Sequence, residues 1–282
     1  MVGLFGDAES AVLRKFVVYV TIPLLVFHSM YTARLPSAAT AVSVVAALPL
    51  LTLLFYLIGA GAAKISSSTP SRRAALAACI TFGNYGWLGW SAVYTILGEQ
   101  ALNQAFFFTL LWWPVFYGFG ALIGSGFSGR GGIDLKTVVH VTSLPVCCIS
   151  AGILLNTAHV GIPGFILTPV RSIGDATIPL ILISVGMGLF ATNIRRLLVP
   201  ALLVSAIRLG LGPLIGILVV KALPVGELGW SVILLESAMP VATVTPILGD
   251  YFDLDRQLVS VCIVTSTVLS LVTLPIVIGI LF

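Results

Sequence analysis

Apolar stretches of about 20 residues follow one another along the whole chain, separated by short segments rich in polar residues, glycine or proline. A helix of about 20 apolar residues is long enough to cross the hydrocarbon layer of a membrane. We therefore predict an all-α polytopic membrane protein with nine membrane-spanning helices. The predicted spans are residues 11–33, 37–63, 74–98, 101–127, 138–157, 172–192, 197–221, 229–249 and 257–281.

The composition agrees with a chain whose surroundings are mostly lipid. Only 9% of the 282 residues are charged, 59% are hydrophobic and the mean hydropathy is +1.13, whereas a soluble domain has about 25% charged residues. The net charge of +4 comes from basic residues in short loops that form no patch. We therefore expect a lipid bilayer and no nucleic acid as partner, and one transmembrane domain over residues 1–282.

The basic residues alternate from loop to loop. Ten of the fourteen Lys and Arg residues fall on one side of the predicted membrane, three fall on the other, and Arg208 lies inside a span. Lys and Arg accumulate in cytoplasmic loops of membrane proteins. The sequence therefore predicts an integral cell membrane protein with a cytoplasmic N-terminus and an external C-terminus.

Short motifs recur in the same order in the two halves of the chain. Thr-Ile-Pro-Leu occurs at 21–24 and 177–180, and Ile-Leu-Gly followed by an acidic residue occurs at 96–99 and 247–250. Five spans separate the members of each pair, so the second copy is inverted, as in many secondary transporters. Span 138–157 has no partner in the first half. We predict a 4+5 arrangement, a 5+5 design without its opening helix; an upstream helix lost from the sequence is the alternative.

Helix-breaking residues interrupt two spans that the repeat pairs. The third span contains Gly83, Asn84 and Gly86, and the eighth contains Pro240 and Pro246. Paired breaks indicate a transport site, because half-helix N-termini at mid-membrane suit an anion. Kinks that only aid packing are the alternative. We predict that the substrate binds where the two breaks cross.

Several polar side chains lie at membrane depth, where they are costly and usually functional. Two interpretations of Arg208 and Glu236 are open: a structural ion pair, or a cation or proton site at Glu236 with Arg208 facing an anionic substrate. The Asn84 amide can coordinate a cation or bind a carboxylate. His28 is either a proton relay or, more often for such a residue, a hydrogen-bonded core side chain.

Hydroxyl and indole side chains near the breaks leave further alternatives open. Thr109, Thr243 and Thr245 either contribute to a site or join helices by hydrogen bonds. Four tryptophans are either interface anchors or cavity walls; they are Trp87, Trp90, Trp112 and Trp113. No nucleophile elbow, zinc motif or phosphate loop occurs, so no enzyme activity, metal centre or cofactor is expected beyond a possible Na⁺ ion.

Motifs in both halves resemble the auxin efflux carrier family. The residues that carry the resemblance are 82–89 and 97–101 for its fourth helix, 177–189 with Arg208 and Pro213 for its seventh and eighth, and 238–240 and 269–275 for its ninth and tenth. The resemblance covers essentially the whole chain, and the order of the motifs is more specific than any one of them. That family has ten helices, the first of which has no counterpart in this chain.

The resemblance implies an elevator-type carrier of organic anions, including auxins and small dicarboxylates. A scaffold would comprise about 11–33 and 138–192, and a moving crossover part about 37–127 and 197–282. By the same analogy, a homodimer would form through the scaffold helices.

The resemblance also extends to sodium–bile acid symporters, which belong to the same superfamily. In those proteins a Glu and a Met before the ninth-helix crossing bind sodium together with an Asn of the fourth helix. Glu236, Met239 and Asn84 fit that pattern, whereas Pro240 stands in place of an amide side chain. The resemblance therefore implies a single cation site for Na⁺ or a proton rather than a full two-sodium arrangement.

The sequence thus predicts a secondary active transporter of a small organic carboxylate, coupled to Na⁺ or a proton. The predicted substrate-binding residues are Gly83, Asn84, Tyr85, Arg208, Pro240, Val241 and Thr243, and the predicted ion-binding residues are Asn84, Thr109, Glu236 and Met239. The alternatives are a sodium–bile acid symporter-like carrier and a transporter-like sensor that binds a ligand without net transport. No filter motif supports a channel.

Overall fold

The computed structural model describes residues 12–13, 15–33, 35, 37–66, 69–129, 135–180, 183 and 197–281. This part of the chain is almost entirely helical and contains no β-strand beyond one isolated bridge. The α-helices are α1 Ile22–Thr32, α2 Ala38–Ile65, α3 Pro70–Thr81, α4 Trp90–Leu97, α5 Glu99–Phe108, α6 Trp112–Ile123, α7 Leu135–Thr157, α8 Gly164–Asp175, α9 Leu198–Ser205, α10 Gly212–Ala222, α11 Gly226–Ser237, α12 Pro246–Phe252 and α13 Arg256–Leu281.

Four single-turn π-helical segments join or extend these helices. They are π1 Val17–Thr21 before α1, π2 Tyr85–Gly89 before α4, π3 Gly124–Ser128 after α6, and π4 Ala206–Leu211 between α9 and α10. Such segments are rare in proteins, and those that occur often lie at functional sites. Two of them, π2 and π4, border the place where the predicted breaks lie.

Three helical stretches in the described residues are long and apolar enough to cross a membrane. They are α2, the continuous helix Leu198–Ala222 formed by α9, π4 and α10, and α13. The pair Glu99–Phe108 and Trp112–Ser128, bent by 41°, makes a fourth if counted as one broken span. The other apolar helices are shorter or interrupted, so the nine-span count and the inverted repeat remain predictions. Most of the predicted span 172–192 lies outside the described residues.

Helix ends follow local sequence signals. The Ser37 hydroxyl accepts a hydrogen bond from the Thr40 N–H (3.2 Å) and so caps α2. Proline at the first position of α3 starts that helix without losing a backbone bond. The Asp255 carboxylate caps α13 by accepting from the Leu258 N–H (3.0 Å) and also pairs with Arg72 at 3.0 Å. That ion pair fixes the start of α3 beside the start of α13.

The helices pack in two neighbourhoods. In the first, α1 lies against α7 and α8, and the Asn156 amide of α7 donates to the carbonyls of Met30 and Ala33 (both 2.9 Å). In the second, α2 packs on α3, α9 on α13, and α10 on α11. Here Gly59 lets α2 approach α3 closely, since a Cβ would lie 2.9 Å from the Ala77 carbonyl oxygen. The broken helices belong to the second neighbourhood.

Candidate substrate and ion site at the helix crossing

The two predicted helix breaks lie side by side and bond to each other. Helix α3 ends at Thr81 and α11 ends at Ser237, and Gly83 and Val241 form an antiparallel bridge. The Asn84 N–H donates to the Pro240 carbonyl (2.8 Å), and the Ala242 N–H donates to the Phe82 carbonyl (3.0 Å). Non-helical backbone at membrane depth must find protein partners. We call this paired region, residues 82–84 and 238–245, the crossing.

The residues at the crossing are small or conformationally constrained for local reasons. A Cβ on Gly83 would overlap the Arg208 guanidinium and the Tyr85 ring, so only glycine leaves room for both. Proline at 240 has no N–H to continue α11. The next residue is also fixed, because the Val241 N–H donates to the Ser266 hydroxyl of α13 (3.1 Å). The predicted breaks are therefore confirmed, and the Ser266 side chain holds the second of them against α13.

Arg208 of π4 joins the two broken helices. Its Nε and Nη2 donate to the Met239 carbonyl (3.3 and 3.1 Å), and its Nη1 donates to the Ile80 carbonyl (3.3 Å). Its Nη2 also donates to the Tyr85 hydroxyl (3.3 Å), and the Phe55 ring centroid lies 3.8 Å from the guanidinium carbon. The side chain is fully buried. Its donors therefore point at the ends of α3 and α11.

The open ion-pair interpretation of Arg208 and Glu236 is wrong. The ion pairs in the described residues are Arg72–Asp255 and Arg171–Asp175. A guanidinium next to two helix ends finds partially negative carbonyls there without a carboxylate. Sequence reasoning does not see these partners, because backbone carbonyls have no side-chain signature.

Asn84 at the crossing and Glu236 in the last turn of α11 are buried polar side chains whose side-chain atoms have no protein partner among the described residues. Both carboxylate oxygens of Glu236, which is fully buried, lack a hydrogen bond, and so do both polar atoms of the Asn84 amide, whose residue is 1% exposed. The carboxylate lies against Gly89 of π2, where a Cβ would overlap it. Unpaired buried polar groups are costly and call for a partner. These atoms can hold a proton, a cation or a polar substrate.

The remaining predicted site residues are placed less favourably. The Thr109 hydroxyl, at the bend between α5 and α6, accepts from the Trp90 indole N–H (3.1 Å) and donates to the Ala105 carbonyl (2.8 Å). Met239 is fully buried and its carbonyl is the acceptor for Arg208. Thr243 is half-buried at the crossing. The Thr109 hydroxyl thus already joins helices, as one of the two alternatives predicts.

An aromatic cavity of about 100 Å³ is lined by Gly86, two positions after Asn84 in the sequence, and by residues that follow it in π2 and α4. The four tryptophans whose role the sequence left undecided all lie in its wall, which favours the cavity-wall alternative for them. Its other wall residues come from α1 with π1, from α5 and the bend that follows it, and from α7; they include Tyr19, Ile22, Val26, Phe106, Leu144 and Ile149. The cavity therefore lies between α1 and α7 on one side and the broken helix α3–α4 on the other.

The sequence did not identify the α1 and α7 side of this cavity. The only signal there is apolar residues on predicted spans, which any lipid-facing or core position shares. His28 of α1 is buried and is not in the cavity wall. Asp175 has 61% of its side chain exposed and pairs with Arg171 at 3.5 Å.

Comparison with known proteins relates this chain to membrane transporters. A family model described as membrane transport protein matches residues 1–131 and 145–278. A protein named uncharacterized transporter from Methanothermobacter thermautotrophicus is 31% identical over an alignment of 284 residues, gaps included, that covers 98% of this chain and 90% of that protein. Uncharacterized transporter MJ1031 from Methanocaldococcus jannaschii is 25% identical over 283 residues, spanning 96% and 90%.

Proposed function

The chain belongs to the membrane transport protein family, that of the auxin efflux carriers, and on this premise we propose that it is a secondary active transporter of a small organic anion. The substrate would be a carboxylate, either auxin-like or a dicarboxylate, bound at the crossing. The observation that carries this proposal is the Asn84 side-chain amide, which is buried at a helix break and has no partner for either polar atom among the described residues.

The geometry around Asn84 suits a carboxylate. Asn84 precedes the helix formed by π2 and α4, whose first N–H groups carry partial positive charge. Its side-chain N–H₂ can donate to a carboxylate oxygen, and the aromatic cavity that follows can hold the apolar part of the molecule. Gly83, Tyr85, Pro240 and Val241 would shape the site, and Thr243 would line its edge.

Coupling to a cation would use Glu236. Its oxygens have no partner among the described residues and lie beside π2, which follows Asn84 directly. A carboxylate at this depth is stabilised either by a proton, which neutralises it, or by a Na⁺ ion that pairs with its charge. Glu236 and Asn84 would provide the ligands, with Met239 next to them.

Transport would follow an elevator mechanism in a nine-span, 4+5 inverted-repeat fold with a cytoplasmic N-terminus. The packing of α1 on α7 and α8 supports a scaffold of about 11–33 and 138–192. The hydrogen-bonded crossing supports a crossover part, about 37–127 and 197–282, that moves as one body. A homodimer would form through the scaffold helices.

The test is solute counterflow in liposomes with a panel of aromatic carboxylates and dicarboxylates. We expect exchange of at least one of them and a rise in the melting temperature when that compound is added to the purified protein. Asn84→Ala should weaken its apparent affinity about tenfold or more, since a hydrogen bond to a charged group is lost. Asn103→Ala, which removes another buried amide on α5, is the matched control and should leave the affinity unchanged.

Two results would contradict the proposal. Stabilisation by a carboxylate without any counterflow would favour the sensor that binds without net transport. Counterflow that is equally strong in Asn84→Ala and in wild type would move the substrate away from the crossing.

A further inference from the structure

We propose that Arg208 is a resident cation of the crossing: its guanidinium neutralises the ends of both broken helices, so that no Na⁺ ion is needed at those ends. This inference rests on the proposed function in taking the crossing as the transport site. It reassigns Arg208 from a substrate ligand to a positioning residue that acts through the backbone of α3 and α11.

The Arg208 guanidinium donates hydrogen bonds to carbonyls at the end of α3 and just beyond the end of α11. Ile80 lies in the last turn of α3, and Met239 follows the end of α11. Both carbonyls accept from Arg208, at 3.3 Å for the first and 3.1 Å for the closer bond to the second. Carbonyls at a helix C-terminus lack intrahelical partners and carry partial negative charge. One side chain thus serves two helix ends that converge at the crossing.

Arg208 needs a counter-charge at its buried position. Arg208 is fully buried, and burying an unpaired charge costs several kcal/mol. No carboxylate of the described residues pairs with it. The negative charge that balances Arg208 is therefore that of the helix ends.

The residues around Arg208 fit the planar shape of a guanidinium group. The Phe55 ring of α2 stacks beneath it at 3.8 Å, and the Tyr85 hydroxyl accepts from Nη2 at 3.3 Å. The absence of a Cβ at Gly83 leaves the space that Nη2 occupies. The guanidinium of Arg is planar, spreads its charge and presents its N–H donors as a fork, so it fits such a site, whereas Lys supplies only a point charge.

A dissociable cation at the helix ends would meet two obstacles. It would compete with Arg208 for the Met239 carbonyl, which already accepts two N–H bonds. It would also be repelled by the guanidinium at short range. Any cation coupling is therefore confined to Glu236 and Asn84, and Na⁺ is excluded from the backbone of the crossing.

The test is chemical rescue of Arg208→Ala followed by thermal unfolding of the detergent-purified protein. We expect the melting temperature to fall by roughly 10 °C, because the helix ends lose their partner. Guanidinium at low millimolar concentration, far below denaturing levels, should restore part of this loss by binding in the space left by the side chain. The same concentration of Na⁺ or K⁺ should restore less, and wild type should not respond.

Arg72→Ala is the matched control, because it removes an Arg whose partner is the carboxylate of Asp255 on the outside of the fold. We expect no guanidinium rescue there. Equal responses of Arg72→Ala and Arg208→Ala to guanidinium would overturn the inference, since the effect would then be unspecific.

Two measurements keep the inference testable if Arg208→Ala does not fold. Arg208→Met keeps most of the side-chain volume without the charge, and a melting temperature equal to that of wild type would overturn the inference. In wild type, Na⁺, K⁺ and choline at equal ionic strength should give the same melting temperature. A rise specific to Na⁺ that persists in Glu236→Gln would place a sodium ion at the helix ends and would also overturn it.

The outcomes separate this inference from the proposed function. Wild type without counterflow of any carboxylate would contradict the proposed function and leave guanidinium rescue of the fold unaffected. Conversely, normal counterflow in wild type together with no guanidinium rescue in Arg208→Ala would contradict the inference alone. Recovery of counterflow in Arg208→Ala on addition of guanidinium would support both.

Discussion

Arg208 and Glu236 are both fully buried near the crossing, but among the described residues the Arg208 side chain has partners and the Glu236 side chain has none. The guanidinium is bound by carbonyls and rings from four segments of the chain. The carboxylate, in contrast, lies against a glycine with both oxygens unbonded in the described structure. A group that the fold leaves unsatisfied is the more promising one for a ligand that comes and goes.

Glu236→Gln tests this assignment. The substitution keeps the shape and removes the charge, so we expect the melting temperature to stay the same or rise, because burying a neutral amide costs less than burying a carboxylate. Uptake driven by a Na⁺ or pH gradient should be lost, while carboxylate exchange remains. Gradient-driven uptake in liposomes measures the first effect and counterflow the second.

The control is Glu227→Gln, an exposed carboxylate in the first turn of the same helix α11. It should leave gradient-driven uptake intact. Unchanged ion dependence in Glu236→Gln would exclude this residue from coupling.

At the scale of single elements, the breaks were predictable and their partners were not. Gly83 and Pro240 indicate the interruptions, and the predicted span 37–63 lies within two residues of the observed Ala38–Ile65. The hydrogen bonds between the breaks join backbone groups, so the side chains in the sequence give no indication of them. The positions of Trp87 and Trp90 in the cavity wall were also not predictable, because the non-helical residues and π2 change the helical period and so alter which face these two side chains present.

The close packing of α10 on α11 is a second feature of elements that can be tested. A Cβ on Gly212 would overlap the Ser237 carbonyl oxygen at the end of α11, whereas a Cβ on Gly210 would meet nothing within 4 Å. We expect Gly212→Ala to cost about 1–3 kcal/mol through overpacking. Gly210→Ala should be neutral or slightly stabilising. Thermal unfolding of the two purified variants measures the difference, and equal melting temperatures would show that the helices separate without cost.

Over the whole molecule, two packing neighbourhoods meet at the aromatic cavity. The α1–α7–α8 group is held together by its own contacts, such as the Asn156 amide on the carbonyls of Met30 and Ala33. The other group is held together by the crossing. The division into a scaffold and a crossover part stays a prediction from the family resemblance, because hydropathy reports burial in lipid and gives no information on how the spans group.

Asn156→Ala should therefore separate stability from binding. Losing two hydrogen bonds to buried carbonyls is expected to cost about 1–3 kcal/mol and to lower the melting temperature. The concentration of carboxylate that gives half of its stabilising effect should stay the same, since the crossing is untouched. Asn84→Ala should show the opposite pattern. A tenfold loss of affinity in Asn156→Ala would mean that the two groups are not independent.

The antiparallel bridge between Gly83 and Val241 has a consequence for local fluctuations. Residues in irregular backbone usually exchange their amide protons rapidly, through small openings of one segment. The amides of Asn84 and Ala242 are donors to the opposite break, at 2.8 and 3.0 Å, so separating the two segments breaks both hydrogen bonds. The two irregular segments therefore open together as one cooperative unit, and native-state hydrogen exchange should give both amides the same opening free energy.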